Sequence, residues 1–310
     1  MVKEEIKKKH HYLPRFYLEG FTEFDSNRLW VYEKAGLEVR PSSPEAEGCQ
    51  KFYHAFVTDE GNRDTNTIED YFQKIETKTG ILFTKIHQRE KLTEQDRKEL
   101  ALFVSFMFTR VPLFRTEIEK MAAEHINQVG LDDAIIDFKI SLDTIRTQLG
   151  INPNISKNEL IKIPSLRGSV FSLAQIFHVA IDFFPKFLNL KWRFLFSNQD
   201  FKYVTSDNPL YFYSASASGT LPRDDFLNDD IEITLPLSKE VSLIAKRDNI
   251  QAGYGPAHAQ TIKHITKNTV ISAKNYVYSS IRSDSLNNLV QKHKDMRPYM
   301  VMDKIGHQTK

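Results

Sequence analysis

His10-His11-Tyr12-Leu13-Pro14-Arg15-Phe16-Tyr17-Leu18-Glu19-Gly20-Phe21 gathers two imidazoles, a proline, a guanidinium and a run of aromatic rings directly after the solvated lysines Lys7, Lys8 and Lys9. Tyr12, Leu13, Phe16, Leu18 and Phe21 must be taken out of water, and doing so draws the histidines and Arg15 toward the interior. The segment is therefore expected to tuck against a core. The elements that supply that core follow it in the chain.

The chain has 310 residues, 41% of them apolar and 12% aromatic, which is ample for a core. It reads as a single large domain over 1–310, with 1–165 and 166–310 as the alternative division. Lysine and arginine number 42 against 40 acidic residues, so no global field attracts nucleic acid, and any polyanion site must come from local clustering. The single cysteine, Cys49, excludes an intramolecular disulfide and fits a reducing compartment. The charged start Met1-Val2-Lys3-Glu4-Glu5-Ile6 has no signal-peptide hydrophobic region, so the expected location is cytoplasmic. Leu100 to Phe114 is broken by Arg110 and Pro112, and Gly168 to Ile181 ends at Asp182; both read as buried helices too short to span a membrane.

Downstream of the opening segment, Arg28 to Tyr32 and Leu37 to Arg40 flank Glu33-Lys34-Ala35-Gly36 and predict a hairpin. The aromatic and branched run Lys51 to Val57 predicts another strand, closed by the Asp59 to Asn62 turn. From Thr67 the period changes. Ile68, Phe72, Ile75, Leu82 and Ile86 recur at helical spacing, and a capping arrangement of Thr93 with Asp96 starts a second helix that Pro112 kinks or ends. Further helical patterns cover about Leu113 to Val129 and Asp132 to Leu149, with a connector at Asn152-Pro153-Asn154. A helix opening at Gly168-Ser169 precedes a change of class. Trp192 to Phe196, Phe201 to Thr205, Leu210 to Tyr213 and the pair Ile231 to Leu237 and Val241 to Ala245 read as strands. A flexible loop at Ser214 to Gly219 and an acidic cluster of Asp224, Asp225, Asp229 and Asp230 lie among them. His258 to Ser272 reads as helix, Tyr276 to Tyr278 as strand and Ser283 to Lys294 as a last helix. Helices and strands in blocks argue for an α+β fold, with a helical middle and antiparallel strands near the N-terminus and in the C-terminal half.

These residues resemble the domain-of-unknown-function family 4238. The resemblance rests on His11, Tyr12, Pro14, Phe16, Tyr17, Leu18 and Phe21, on Ile68-Glu69 and Glu76, on Arg110 and Pro112, on Ser206-Asp207-Asn208-Pro209 and on Pro236-Leu237-Ser238, in that order from about His10 to Ser279. Val111 departs from it, because members often carry threonine between the arginine and the proline. The resemblance implies a bacterial cytoplasmic protein, some of whose relatives are linked to defence against bacteriophage, and it implies no settled reaction.

The candidate chemistry sits on the same elements. Glu69 and Glu76 stand two helical turns apart and project from one flank of the Ile68–Ile75 stripe, as a metal-binding or acid–base pair or as solvated partners of lysine and arginine. Arg110 falls on an otherwise apolar helix face and needs a partner, a carboxylate such as Glu69 or Glu76 or a ligand phosphate. His11 is the candidate imidazole by its place in the family pattern, held by the rigid Pro14 segment; the alternative is a hydrogen-bonded core histidine. Asp207 and Asn208 occupy a tight turn at a strand end. Gln175, His178 and Asp182 share a helical face, where Asp182 can orient His178; the alternative is a hydrogen-bonded histidine of an apolar helix. There is no Walker loop, paired-cysteine zinc site or His-Glu-x-x-His, and Glu76-Thr77-Lys78 is a nuclease-like triplet placed on a helix, the wrong context.

The expectation is that His11, Glu69, Glu76 and Asp207 act as catalytic groups, with Arg110 and Asn208 binding substrate, all converging in one pocket for phosphodiester or other hydrolysis. A divalent metal is the candidate cofactor. A nucleic acid or nucleotide is the candidate substrate and a phage protein the candidate trigger, with no membrane partner. The rival is a non-enzymatic sensor or protein-binding module whose polar set is a buried structural network. An open pocket would favour chemistry, and a closed, paired network the rival.

Overall fold

The computed structural model describes residues 6–24, 26–58, 61–130, 143–144, 147–149, 170–198, 200–214 and 230–296. The opening segment forms strand β1 (Lys9–His11) and the short helix α1 (Arg15–Glu19). As its composition demands, Tyr12, Leu13, Tyr17, Leu18 and Phe21 are buried, while Phe16 packs its edge on Phe83 and Phe103. Arg15 departs from expectation. It stays at the surface and pairs with Glu19 one turn on, because that flank of α1 faces water.

A helical layer lies under this segment. Helices α2 (Thr67–His87), α3 (Glu94–Thr109), α4 (Pro112–Val129) and α5 (Val170–Leu188) build it, α3 packing on both α2 and α5. The buried stripe of α2 contains Ile68, Phe72, Leu82 and Ile86, with acids in its first turn and Lys85 and His87 in its last, the charge order that the helix dipole favours. Thr93 and Asp96 form the expected reciprocal capping box. Pro112 ends α3 rather than kinking it: Arg110 is the C-cap, Val111 is extended, and Pro112 becomes the first residue of α4, where its missing N–H costs nothing. Phe72, Phe106 and Phe177 meet at the centre with ring separations of 5.2 to 5.8 Å.

Two larger sheets accompany the helices, one antiparallel and one antiparallel except for its edge strand. The first has the order β3-β2-β13-β8, from the hairpin β2 (Leu29–Glu33) and β3 (Val39–Ser42) with β13 (Tyr276–Ser279) and β8 (Thr205–Ser206). The second, β12-β7-β11-β10-β9, holds β7 (Lys191–Phe196), β9 (Tyr211–Tyr213), the hairpin β10 (Glu232–Pro236) and β11 (Val241–Lys246), and β12 (Gly253–Pro256), which runs parallel to β7. Ribbons β1 with β4 (Cys49–Lys51) and β5 (Phe56–Val57) with β6 (Arg63–Asp64) complete the strands among the described residues, and helices α6 (Ala259–Ser272) and α7 (Asp284–Lys292) close the described chain. The architecture is α+β, and one core cluster contains residues from Tyr12 to Tyr278.

Three local expectations need correction. Lys51 to Val57 is not one strand, because Phe52 takes a positive φ of 56° and its N–H bonds to Lys8, ending β4 at Lys51. The turn buries both Tyr53 and His54, which a regular strand would send to opposite faces. Phe201 to Thr205 forms a ladder only at its end, since Tyr203 bonds to the Lys239 carbonyl instead, and Ser206 lies inside β8 rather than in a turn. The apolar stretch of α5 continues past Asp182, so Phe171–Leu188 is long and apolar enough to cross a membrane; 61% of it is buried inside this protein, against α3 and α4, which is how a core helix behaves. The connector at 152–154, most of the expected 132–149 helix, residues 215–219 of the flexible loop, and Asp224, Asp225 and Asp229 lie outside the described residues.

Candidate functional site

The turn at 52–54, the first half of α2, the end of α3 and the start of α4 bring a set of charged groups together beneath the opening segment. His54 is the centre. Its ring is packed edge-on against Tyr53 and Phe72 and stacked 5.8 Å from His10. The His10 Nε2 faces the Lys7 carbonyl at 3.0 Å and its Nδ1 accepts the His54 backbone N–H at 2.8 Å, an arrangement that assigns the His10 proton to Nε2. The Nδ1 of His54 lies 2.5 Å from the Glu69 carboxylate and donates to it, which leaves Nε2 with a lone pair, buried and without a hydrogen-bond partner.

Two helical turns along α2, Glu76 accepts from the Arg110 Nη1 at 2.8 Å. Arg110 is 1% exposed, its guanidinium lies 5.1 Å from the Phe72 ring centre, and its Nε has no partner. The partner that Arg110 required is therefore Glu76. Beside it, Arg115 of α4 is held by the Ser172 hydroxyl at 2.9 Å and the Tyr53 carbonyl at 2.5 Å.

Burial dominates the electrostatics. Desolvation drives His54 well below the ordinary histidine range, helped by the charges of Arg115 and Arg110. The same cause raises Glu69 and Glu76 above the ordinary glutamate range against the pull of their cationic neighbours. Because the folded-state pKa of His54 is depressed, the unfolded chain binds more protons below about pH 6.5, and the stability that neutral His54 provides is lost as the pH falls through that range, at about 1 kcal/mol per pH unit. Glu69 and Glu76, being raised, work in the opposite sense at lower pH. His54→Gln should flatten the pH dependence of urea midpoints between pH 6.5 and 5 relative to the parent; an unchanged slope would mean that His54 titrates normally.

His10, His54 and Glu69 offer ligand atoms within 4.8 Å of one another, the donor set of a metal site. Their hydrogen bonds already use the atoms concerned: His10 Nδ1 is engaged by an amide, and His54 Nδ1 sits closer to Glu69 than two ligands of one ion stand. The donor types fit an ion, but the arrangement fits an oriented His–Glu pair better.

The other expected site residues are elsewhere. His11 points away from the cluster, its Nε2 3.4 Å from the Glu45 carbonyl, since strand alternation in β1 turns His10 inward and His11 outward. Asp207 does not join the glutamates. It is buried at the end of β8 and accepts the backbone N–H groups of Lys274 and Asn275 at 2.8 Å each, with burial pushing its carboxyl up to about 6. Asn208 donates to the Ser272 carbonyl, at the end of α6. The single convergent pocket is thus two structures, a His–Glu–Arg network and an Asp–Asn clamp on the α6–β13 turn. Asp182 pairs with Lys186, and the His178 Nδ1 faces the Thr144 hydroxyl.

Between the two structures runs a cleft of about 420 Å³ lined by Lys51, Tyr53, Arg115, Thr116, Glu119 and Lys274, among others. His54, Arg115 and Lys274 are the functional candidates that sequence reasoning passed over. Arg115 carried the signal that exposed Arg110, a cation among apolar neighbours, here Leu113, Phe114 and Ile118.

Over most of the chain, a family model described as a protein of unknown function (DUF4238) matches residues 9–283. No curated protein and no solved structure matches.

Proposed function

The chain belongs to the DUF4238 family of proteins of unknown function, and on that premise we propose that it is a cytoplasmic bacterial anti-phage effector that hydrolyses a phosphoester in a nucleic acid or nucleotide, with Glu69 as general base. The defence role is carried by the family resemblance, with a phage protein as the trigger. The chemistry is carried by one observation: the Glu69 carboxyl is raised by burial, oriented by the His54 Nδ1–H at 2.5 Å, and still 14% open to solvent. A carboxylate with raised basicity, fixed direction and access to water is what general-base attack on phosphorus requires. Arg110, with an unpartnered Nε–H, supplies a buried donor for charge developing on a phosphoryl oxygen, and Glu76 holds its other arm. His54 acts through Glu69 and is a positioning residue.

Glu69→Gln is expected to lower the rate on a panel of oligonucleotides and nucleotides by about 100-fold while the melting temperature is kept. His54→Gln should displace the acid limb of the pH–rate profile by altering the carboxyl it orients. Full activity in Glu69→Gln defeats the assignment.

A second reading, a non-enzymatic sensor, is favoured by the sealing of His10, His54, Arg110 and Arg115, each at most 5% exposed. Under that reading Glu69→Gln retains phage protection wherever it retains the fold.

A further inference from the structure

We propose that the cleft between β4 and the α6–β13 turn is a binding site for a small phosphorylated molecule of mononucleotide size. Its volume, about 420 Å³, lies in the lower part of the range of small-ligand sites, about 300–1,000 Å³. Lys51, Arg115 and Lys274 place three cations on its walls against one carboxylate, Glu119. This local excess is not visible in a chain whose formal charge is only +2.

Each cation is presented differently. Arg115 is 5% exposed, with Nη1 and Nε committed to Tyr53 and Ser172, Glu119 standing 3.9 Å from Nε, and Nη2 without a hydrogen-bond partner, so a fixed guanidinium, only partly countered by Glu119, backs the wall. Lys274 is held across the cleft by the Pro112 carbonyl at 3.1 Å and the Thr116 hydroxyl at 2.7 Å, and its backbone by Asp207. Lys51 is exposed at the rim. Pro112 and Thr116 belong to the first turns of α4, whose dipole puts further positive potential on that wall. A phosphate meets the cations, and Glu119 supplies an acceptor for the hydroxyl or amino donors of the group it is attached to. A pocket of this size takes one phosphate and its carrier; a polynucleotide needs a long basic stripe.

The proposal does not depend on Glu69 being a base. Its test is calorimetric titration of the full chain, in the parent and in Glu69→Gln, with inorganic phosphate, the four ribonucleoside monophosphates, the matching nucleosides and a single-stranded oligonucleotide. At least one monophosphate should bind about tenfold or more tighter than its nucleoside, alike in parent and Glu69→Gln. Lys51→Met, at an exposed position, should weaken it severalfold with the melting temperature unchanged, and Lys51→Met with Lys274→Met should weaken it about tenfold or more. Failure of every monophosphate and of phosphate to bind, equal affinity for nucleoside and monophosphate, or full affinity in Lys51→Met overturns the site. An oligonucleotide binding more than tenfold tighter than any monophosphate overturns the size assignment.

Discussion

Glu76→Ala is expected to destabilise the protein by about 3–5 kcal/mol, the ordinary cost of removing one partner from a buried ion pair. The loss follows from where Arg110 lies. Its side chain is almost fully buried against Phe72 and Met107, and Glu76 is its charged partner, so truncation leaves a guanidinium in largely apolar surroundings without a counter-charge. Part of the cost is relieved because Glu76 itself is 23% exposed and water enters the space it leaves. Replacing both partners, Arg110→Met with Glu76→Leu, removes the stranded charge as well and should recover most of the stability. Urea unfolding of Arg110→Met, Glu76→Leu and the double variant, beside Glu76→Ala, measures this directly. Additive losses in the double variant would show that the two groups act independently.

Asp207→Ala should cost about 3 kcal/mol, for a different reason. Asp207 satisfies the backbone N–H groups of Lys274 and Asn275, and truncation leaves donors in a buried turn without an acceptor, each worth about 1–3 kcal/mol. The expense of burying its charge, seen in the rise of its carboxyl to about 6, offsets part of that gain. Asp207→Asn should fall between parent and alanine variant, because an amide accepts one of the two N–H groups but turns its own NH₂ toward the other. Thermal melts order the three proteins. A neutral Asp207→Ala would mean that the turn is held without it.

How much of this was legible in the chain depends on how far apart the cooperating residues lie. The buried stripe of α2 and the capping box of Thr93 and Asp96 are local, and periodicity and spacing reveal them. The need of Arg110 for a carboxylate is legible too, since an arginine among apolar residues is a physical problem with few solutions. His54 was hidden by the strand reading of Lys51 to Val57. The left-handed Phe52 that breaks that strand is held by the Arg63 guanidinium 4.1 Å from its ring and by Lys8, neither adjacent in sequence. Choosing between His10 and His11 required the register of β1 on β4, which no local pattern carries. Asp207 and Glu69 look equally suited to one pocket in a linear reading. Only the pairing of β8 with β13 decides that Asp207 serves the α6–β13 turn instead.

The anchoring of the opening segment has a consequence for synthesis on the ribosome. Tyr17 bonds to Pro236 and Thr205, and the Gly20 carbonyl accepts from Lys239, so the earliest buried residues wait for partners made about 200 residues later. At about 5–20 residues per second that is an interval of roughly 10–40 s. Throughout it, Tyr17 and its ring neighbour Phe21 are apolar groups without their final cover, the kind of surface that holdase chaperones bind. A nascent chain stalled before β10 should therefore be captured by such a chaperone through this segment, and one released after β11 should not.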